Sequence, residues 1–551
     1  MTSSTTADPH ERSARRALVA SVFLVSAVLR LAAVDRPLNI DEALWIRRGG
    51  AFVAALARGE LFATYTRPHP GVTTMWLIGL SDVGECAVVG EGTWESCAQR
   101  LAADPLPPLA AYVAPRCVQS VLTAALLALM ALLSVQWLGF WPAALGSGLL
   151  ALEPFFLGYQ RFITTDALAT DLGAVAALWF LLYLREGNSR RLAFSGLAFG
   201  LAVATKLPAV LLAVPLLISA LVVESGGWPG FAARGFRRRA LELTVWAAVG
   251  MAVVVAIWPV LWVRPIGLLH QLQADLSSET QVNAFRSDDT GWTFYVRVLA
   301  WRFTPLTQMG ALIGVAALLW PAWRRRQARR AELEALAGLV LVPVVLLRCA
   351  GESGVDRYLL PVVPFLALLA GAGWDLVRDR VTARWPRPSG AVLVPAAVAV
   401  GQLAMLLPYL PEGITFYNPL LGGPAAAGHA LVIGQGEELE RAAWYVDAEP
   451  GAASRVAAVP GFASAFAPYF RGRTIDISPS GDEWLAADRV VLYIRPMQTG
   501  WPDAALVAYI ASQQRPLYTV RRHGLDYARV YAGPIVLPPE LREAAPPPAV
   551  P

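Results

Sequence analysis

Long apolar runs recur through the first three quarters of the chain, over residues 17–34, 116–136, 142–157, 166–184, 191–205, 207–223, 240–262, 306–322, 333–349, 358–376 and 391–409. At about 1.5 Å per helical residue each crosses most of a ~30 Å hydrocarbon layer. The pattern predicts a mainly α, polytopic membrane domain of eleven helices over residues 17–410. The shorter apolar piece Gly71 to Leu80 is expected to lean on the membrane without spanning it. A cleaved leader over the first run is the less favoured reading, because cleavage would discard the anchor of the segment attached to it.

That segment, residues 38–80, opens with adjacent carboxylates, Asp41 and Glu42, where a membrane helix meets water. An amphipathic helix comes next. Trp45, Ile46, Gly49, Phe52, Val53 and Leu56 share one face at i, i+3, i+4 spacing while Arg47, Arg48 and Arg58 lie off it, the pattern of a helix resting in the membrane interface. A structural alternative stands beside any chemical role: Asp41 caps this helix, or Asn39 does so with Glu42 as the far half of a capping box.

Beyond Pro411 the runs give way to short alternating elements. ALVIG at 430–434, then RVAAV, RTIDI, RVVLYI, PLYTV and YARVY read as strands, and EELERAAWYV and AALVAYIAS as helices, of a small soluble α/β domain over residues 411–535. Gly434-Gln435-Gly436 hints at a dinucleotide loop. No acid follows at the ribose position, so an ordinary strand-to-helix turn is favoured. Residues 1–16 and the Pro-rich 536–551 read as unstructured tails, and no internal repeat stands out.

Composition fixes the class. With 56% hydrophobic and 16% charged residues among 551, the chain is too apolar for a soluble enzyme. Its net charge of +5 needs no nucleic acid to explain it. The positive charge is nearly all arginine, Lys206 being the single lysine. Arg12, Arg15 and Arg16, then Arg185, Arg190 and Arg191, Arg234 and Arg237 to Arg239, Arg324 to Arg326 with Arg329 and Arg330, and Arg378, Arg380, Arg384 and Arg387 occupy alternate connections. The positive-inside rule then puts the N-terminus in the cytoplasm of a plasma-membrane protein. The first outer loop (35–115), a second (263–305) and the C-terminal domain face outward. Cys86, Cys97, Cys117 and Cys349 fall on that oxidising side. Cys86 with Cys97 is the favoured pair, free thiols the alternative.

Polar groups recur at outer helix ends: Glu153, Arg161, Asp166 with Thr170, Lys206, and Arg357-Tyr358. Singly, Asp166 suits a helix dipole, and Lys206 or Arg357 could snorkel. Jointly they suggest a cavity, because ionisable residues in membrane segments face an interior and have partners. Such a cavity suits an anionic lipid headgroup held while a carboxylate acts on a second substrate.

The order Asp41-Glu42, Pro68-His69-Pro70, LEPFFLGYQRFITTDALAT from Leu152, GLAFGLAVATK ending at Lys206, RYLLPVVPFLALLAG from Arg357 and FYNPLLGG from Phe416 resembles the GT-C membrane glycosyltransferases. The likeness is to the protein O-mannosyltransferase and aminoarabinose lipid A transferase group. It implies a polyprenyl-phosphate-linked monosaccharide donor and inverting transfer on the outer face to a hydroxyl of a protein, glycan or lipid acceptor, with Asp41 as base. Family members often carry H-P-P where this chain has His69-Pro70-Gly71, which makes His69 a less secure substrate contact. The aminoarabinose branch has a lysine there that this chain lacks, which points toward the mannosyl side, where no metal is required.

The chemistry can be argued without the family. Glycosyl transfer passes through an oxocarbenium-like state, and a departing phosphate needs charge stabilisation rather than a proton. Asp41 is assigned the acceptor proton and Glu42 the acceptor's orientation. Arg161, Lys206, Arg357 and Tyr358 are assigned the phosphate, and Asp166 the positioning of Arg161 or the acceptor. Asp275, Glu279, Asp288, Asp289, Trp292 and Tyr295 give loop 263–305 the mixture of a sugar-contacting lid, the alternative being a plain polar loop. A divalent metal among Asp41, Glu42, His69 and Asp166 lacks ligand spacing, so no cofactor is expected. A multi-pass transporter or flippase of lipid-linked saccharides is the competing function, but it would place its charges near the midplane of related halves. A sensor or scaffold would have little use for them.

Overall fold

The computed structural model of the chain describes residues 9–66, 70–90, 92–226, 235–279, 293–320, 329–349, 355–386, 388–477, 482–513, 515–539 and 541. Among the described residues, each of the eleven apolar runs is largely helical. The helices are Pro9–Leu31, Ala110–Leu138, Phe140–Leu152 with Pro154–Gln160, Thr165–Glu186, Ser189–Thr205, Ala213–Gly226, Phe236–Ile257, Pro305–Leu319, Arg330–Cys349, Val363–Arg384 and Pro388–Leu406. By length and hydropathy six helices among the described residues can cross a membrane, or up to eight if each bent pair is one span. Several of the eleven runs are broken. Pro154 follows a 61° bend at Glu153, and Pro305 follows a 119° bend after Arg302. Leu207-Pro208 begins a 3-10 turn before Ala213–Gly226.

Gly71 to Leu80 departs from expectation. It opens a helix, Val72–Val89, long and apolar enough to cross, because the chain continues helically through a π turn at Gly79–Val83. The Cys86–Cys97 disulfide forms, Cα to Cα 6.1 Å, tying that helix to Trp94–Ala103. The amphipathic helix is Glu42–Ala57, with Trp45, Ile46, Gly49, Phe52 and Val53 buried and Arg47 and Arg58 exposed. Loop 263–305 is partly ordered as Pro265–Glu279 and Phe294–Arg302, and Asp288, Asp289 and Trp292 lie outside the described residues.

The bends are stitched to each other. Glu153, buried at the first, accepts hydrogen bonds from the Thr304 amide (2.9 Å), the Thr304 hydroxyl (3.0 Å) and the Thr307 hydroxyl (2.6 Å) at the second. Glu153 therefore supplies the acceptors that two interrupted helices need.

The C-terminal region is a five-stranded sheet. Its strands are β1 (Val456–Val459), β2 (Arg473–Asp476), β3 (Arg489–Tyr493), β4 (Tyr518–Arg522) and β5 (Leu525–Ala532), in the order β2-β1-β3-β5-β4. β1 pairs parallel with β2 and β3, and β5 antiparallel with β3 and β4. Two-residue alternation divides the faces. Val490 and Leu492 pack on Leu506, Val507 and Ile510 of helix Ala504–Gln513, while Val491 and Tyr493 join the core shared with the membrane helices.

Residues 430–434, expected as a strand, are irregular. Their backbone is satisfied by a side chain instead of a ladder: the Gln498 carboxamide accepts from the Ile433 amide (2.8 Å) and donates to the Leu431 carbonyl (3.2 Å). The turn after them is a docking device rather than a nucleotide loop. Gly436 (φ +119°) lies so close to the first outer loop that a Cβ would fall 2.2 Å from the Leu38 carbonyl oxygen. Next to it the Ile40 amide donates to the Gln435 carbonyl (2.9 Å). Gly436→Ala is therefore expected to cost about 1–3 kcal/mol from backbone strain alone, read as a lower thermal midpoint. An unchanged midpoint would show that this contact does not hold the two regions together.

Candidate active site

The site is built around the loop Ala32–Asp41, whose carbonyls are gripped from two sides. Arg116, from helix Ala110–Leu138, donates to the Val34 carbonyl (2.8 Å) and the Pro37 carbonyl (2.6 Å) and forms a fully buried ion pair with Glu42. Arg161 donates to the carbonyls of Ala32 (2.6 Å), Ala33, Arg36 (3.0 Å) and Pro411. From the α/β region, the Tyr469 hydroxyl donates to the Asp35 carbonyl (2.7 Å) and Ser464 to that of Ile40 (3.3 Å). A loop with so many carbonyls engaged has little freedom left. Its last residue is Asp41.

Two sequence assignments change here. Glu42 is no acceptor-orienting acid. Its carboxylate also accepts from the Ile163 amide (2.8 Å) and reaches back to the Asn39 amide (2.7 Å), half of the capping box, with the Asn39 side chain accepting from the Asp41 amide instead. Arg161 is no phosphate ligand either, since both its Nη atoms are spent on the backbone of the loop. Each is buried because it replaces the water that loop carbonyls and helix-end amides would otherwise need.

Asp41 differs from its neighbour. It begins helix Glu42–Ala57 without a side-chain capping bond, and its carboxylate, 32% exposed, pairs with Arg357, 22% exposed. Both partners can therefore be reached by a substrate. Lys206, at the end of helix Ser189–Thr205, places Nζ 2.6 Å from Asp166 and 5.0 Å from the centre of the Tyr358 ring. Asp166 thus holds Lys206 rather than Arg161. Arg357 interacts electrostatically with both Asp41 and Asp166, linking the two pairs into one cluster. Gly71, the N-cap of helix Val72–Ile78, donates to the Thr205 carbonyl (3.1 Å) and so seats the first loop beside Lys206. His69 lies outside the described residues. Tyr295 is buried with its ring edge-on to Phe294, and Tyr159 and Arg302 fix Asp356 beside Arg357 through bonds of 3.0 and 2.7 Å.

The sequence reading missed Arg495, which follows β3 at its carboxyl end. It is nearly buried and donates to the Gly434 carbonyl (3.3 Å). Burial and the neighbouring Arg357 guanidinium lower its pKa, with Asp356 and Asp41 among the compensating charges. Lys206 and Arg357 thus pair with Asp166 and Asp41, and Arg495 lies in electrostatic reach of Arg357, Asp356 and Asp41. Arg116 was missed as well, though an arginine inside an apolar run asks for a buried partner. Among the described residues, the one carboxylate group spaced to hold a metal lies elsewhere, at Glu412, Glu438 and Glu440.

Residues 110–262, which carry Arg116, Arg161, Asp166 and Lys206, match the family described as dolichyl-phosphate-mannose-protein mannosyltransferase. Among curated proteins, none matches the chain. Among solved structures, the oligosaccharyltransferase of Archaeoglobus fulgidus in the apo form is 12% identical, covers 90% of this chain and 72% of its own, and gives a TM-score of 0.50. ArnT from Cupriavidus metallidurans bound to undecaprenyl phosphate is 15% identical over 93% of this chain and 97% of its own, with a TM-score of 0.49. The S. cerevisiae Pmt1-Pmt2 complex bound to the sugar donor is 20% identical over 44% of this chain and 32% of its own, at 0.33.

Proposed function

We propose that this chain is an integral membrane glycosyltransferase of the GT-C, protein O-mannosyltransferase type, which moves a monosaccharide from a polyprenyl-phosphate donor to an acceptor hydroxyl on the outer face of the plasma membrane, with inversion. The observation that carries this reading is the accessible Asp41–Arg357 pair beside Lys206, on a loop fixed from both sides. The eleven-span topology, with a cytoplasmic N-terminus and an extracytoplasmic α/β domain, belongs to the same proposal.

Before substrate arrives, the carboxylates of Asp41 and Asp166 neutralise Arg357 and Lys206. The donor phosphate takes over part of that pairing, with Arg495 closing from the α/β side, and releases Asp41 to act as a base. The acceptor O–H gives its proton to Asp41 as its oxygen bonds to the sugar C1. The C1–O bond to phosphate breaks, and its electron pair stays on the polyprenyl phosphate. Asp41 supplies the proton acceptor and the cations stabilise the departing charge. Attack and departure on opposite faces give inversion.

Lys206 tests the reading at the phosphate. Its compact ammonium fits between Asp166 and the Tyr358 ring, where a planar guanidinium is longer and differently hydrated. Lys206→Arg is expected to fold normally and lose most activity, about tenfold or more. Full activity in that variant would remove Lys206 from the phosphate site.

A further inference from the structure

Away from the Asp41 cluster, where the chain leaves its last membrane helix and the α/β region begins, three carboxylates converge. Glu412 sits just past Pro411, whose carbonyl Arg161 holds, and Glu438 and Glu440 flank the start of helix Leu439–Asp447. They are 3%, 0% and 1% exposed, and one oxygen from each lies within 4.8 Å of the others. Neither oxygen of Glu440 has a hydrogen-bond donor, and its nearest cation, Arg441, is 3.9 Å away. Oε2 of Glu412 also lacks a donor. Arg441 and Arg522 approach Glu438 at 2.5 and 3.4 Å, so three carboxylates face two cations and a net negative charge remains. An anionic cluster sealed from water needs a counter-charge.

We propose that Glu412, Glu438 and Glu440 bind a divalent cation of the calcium or magnesium class, which fastens the α/β region to the end of the membrane domain. The ligand set is oxygen only, as hard cations require. Ligands about 2.4 Å from an ion and on opposite sides of it are about 4.8 Å apart, so the observed convergence matches one coordination sphere. The ion acts structurally. It joins Glu412, next to the carbonyl that Arg161 holds, to the helix that comes after the Gly436 docking turn, and so helps fix the loop that presents Asp41. The inference stands whether or not the transferase reading does.

The test is thermal unfolding of chelator-treated full-length protein with and without millimolar Ca²⁺, Mg²⁺ or Mn²⁺. At saturation, one or more of these ions is expected to raise the midpoint by roughly 2–5 °C. Glu440→Gln removes a repelling charge, so it should fold in chelator at least as stably as the parent and no longer respond. Asp41→Asn should respond like the parent. The proposal is overturned if no ion shifts the parent, if Glu440→Gln responds equally, or if Asp41→Asn loses the response. It is equally overturned if the parent ignores cations but gains stability as pH falls from about 8 to 6, which would show shared protons instead.

Discussion

Asp41→Asn is expected to yield a folded protein whose sugar transfer falls by about 10²–10⁴-fold, the usual contribution of a positioned base. The fold should survive because the Asp41 side chain makes no capping bond and sits at a reachable surface. The amide keeps the shape and removes the proton acceptor. It also frees Arg357, so affinity for a polyprenyl phosphate should hold or rise while turnover drops. This split between binding and turnover separates a base from a phosphate ligand. Binding and turnover that fall together would reassign Asp41 to substrate binding, and activity within tenfold of the parent would deny it the role of base.

The largest effect on stability is expected one residue away. Arg116 and Glu42 are 1% and 0% exposed, and each is the other's counter-charge. Removing one leaves an unpaired buried ion, which costs about 3–5 kcal/mol. Arg116→Met or Glu42→Met alone should therefore greatly lower the yield of folded protein and its thermal midpoint. The double replacement should recover much of that loss, since a well-packed apolar pair can substitute for a buried ion pair. Transfer should stay impaired in the double variant, because the Val34 and Pro37 carbonyls lose their donors and Asp41 loses its fixed approach. Single variants as stable as the parent, or an active double variant, would contradict the account of how the loop is held.

The sequence made the helices legible because their apolar runs are long and carry few charges. It exposed Lys206 and Arg357 because each abuts the end of such a run, and Asp41 because it follows shortly after one. What it could not show was pairing across the chain. Asp41 and Glu42 are adjacent and chemically alike, yet one is part-exposed beside Arg357 and the other faces a buried arginine 74 residues further on. Arg161 resembled a phosphate ligand by position, and only its long-range bonds to loop carbonyls reveal a structural task. The breaks inside the apolar runs were not legible, because a bend at Glu153 or after Arg302 leaves the hydropathy of the flanking residues unchanged. The irregular stretch at residues 430–434 carries a strand's composition, but Gln498 satisfies its backbone, and no local pattern records that. Arg495 escaped notice because its partners come from Gly434 and the Arg357 region, far away in the chain.

The central claim is that Asp41 and the neighbouring cations form a single transfer site for a lipid-phosphate sugar. The most direct measurement is incubation of purified protein in lipid with radiolabelled polyprenyl-phosphate monosaccharides and membrane acceptors, alongside Asp41→Asn. The account predicts label moved from the lipid to an acceptor by the parent and not by the variant. Equal transfer by both, or label carried across the bilayer still attached to its lipid, would contradict it.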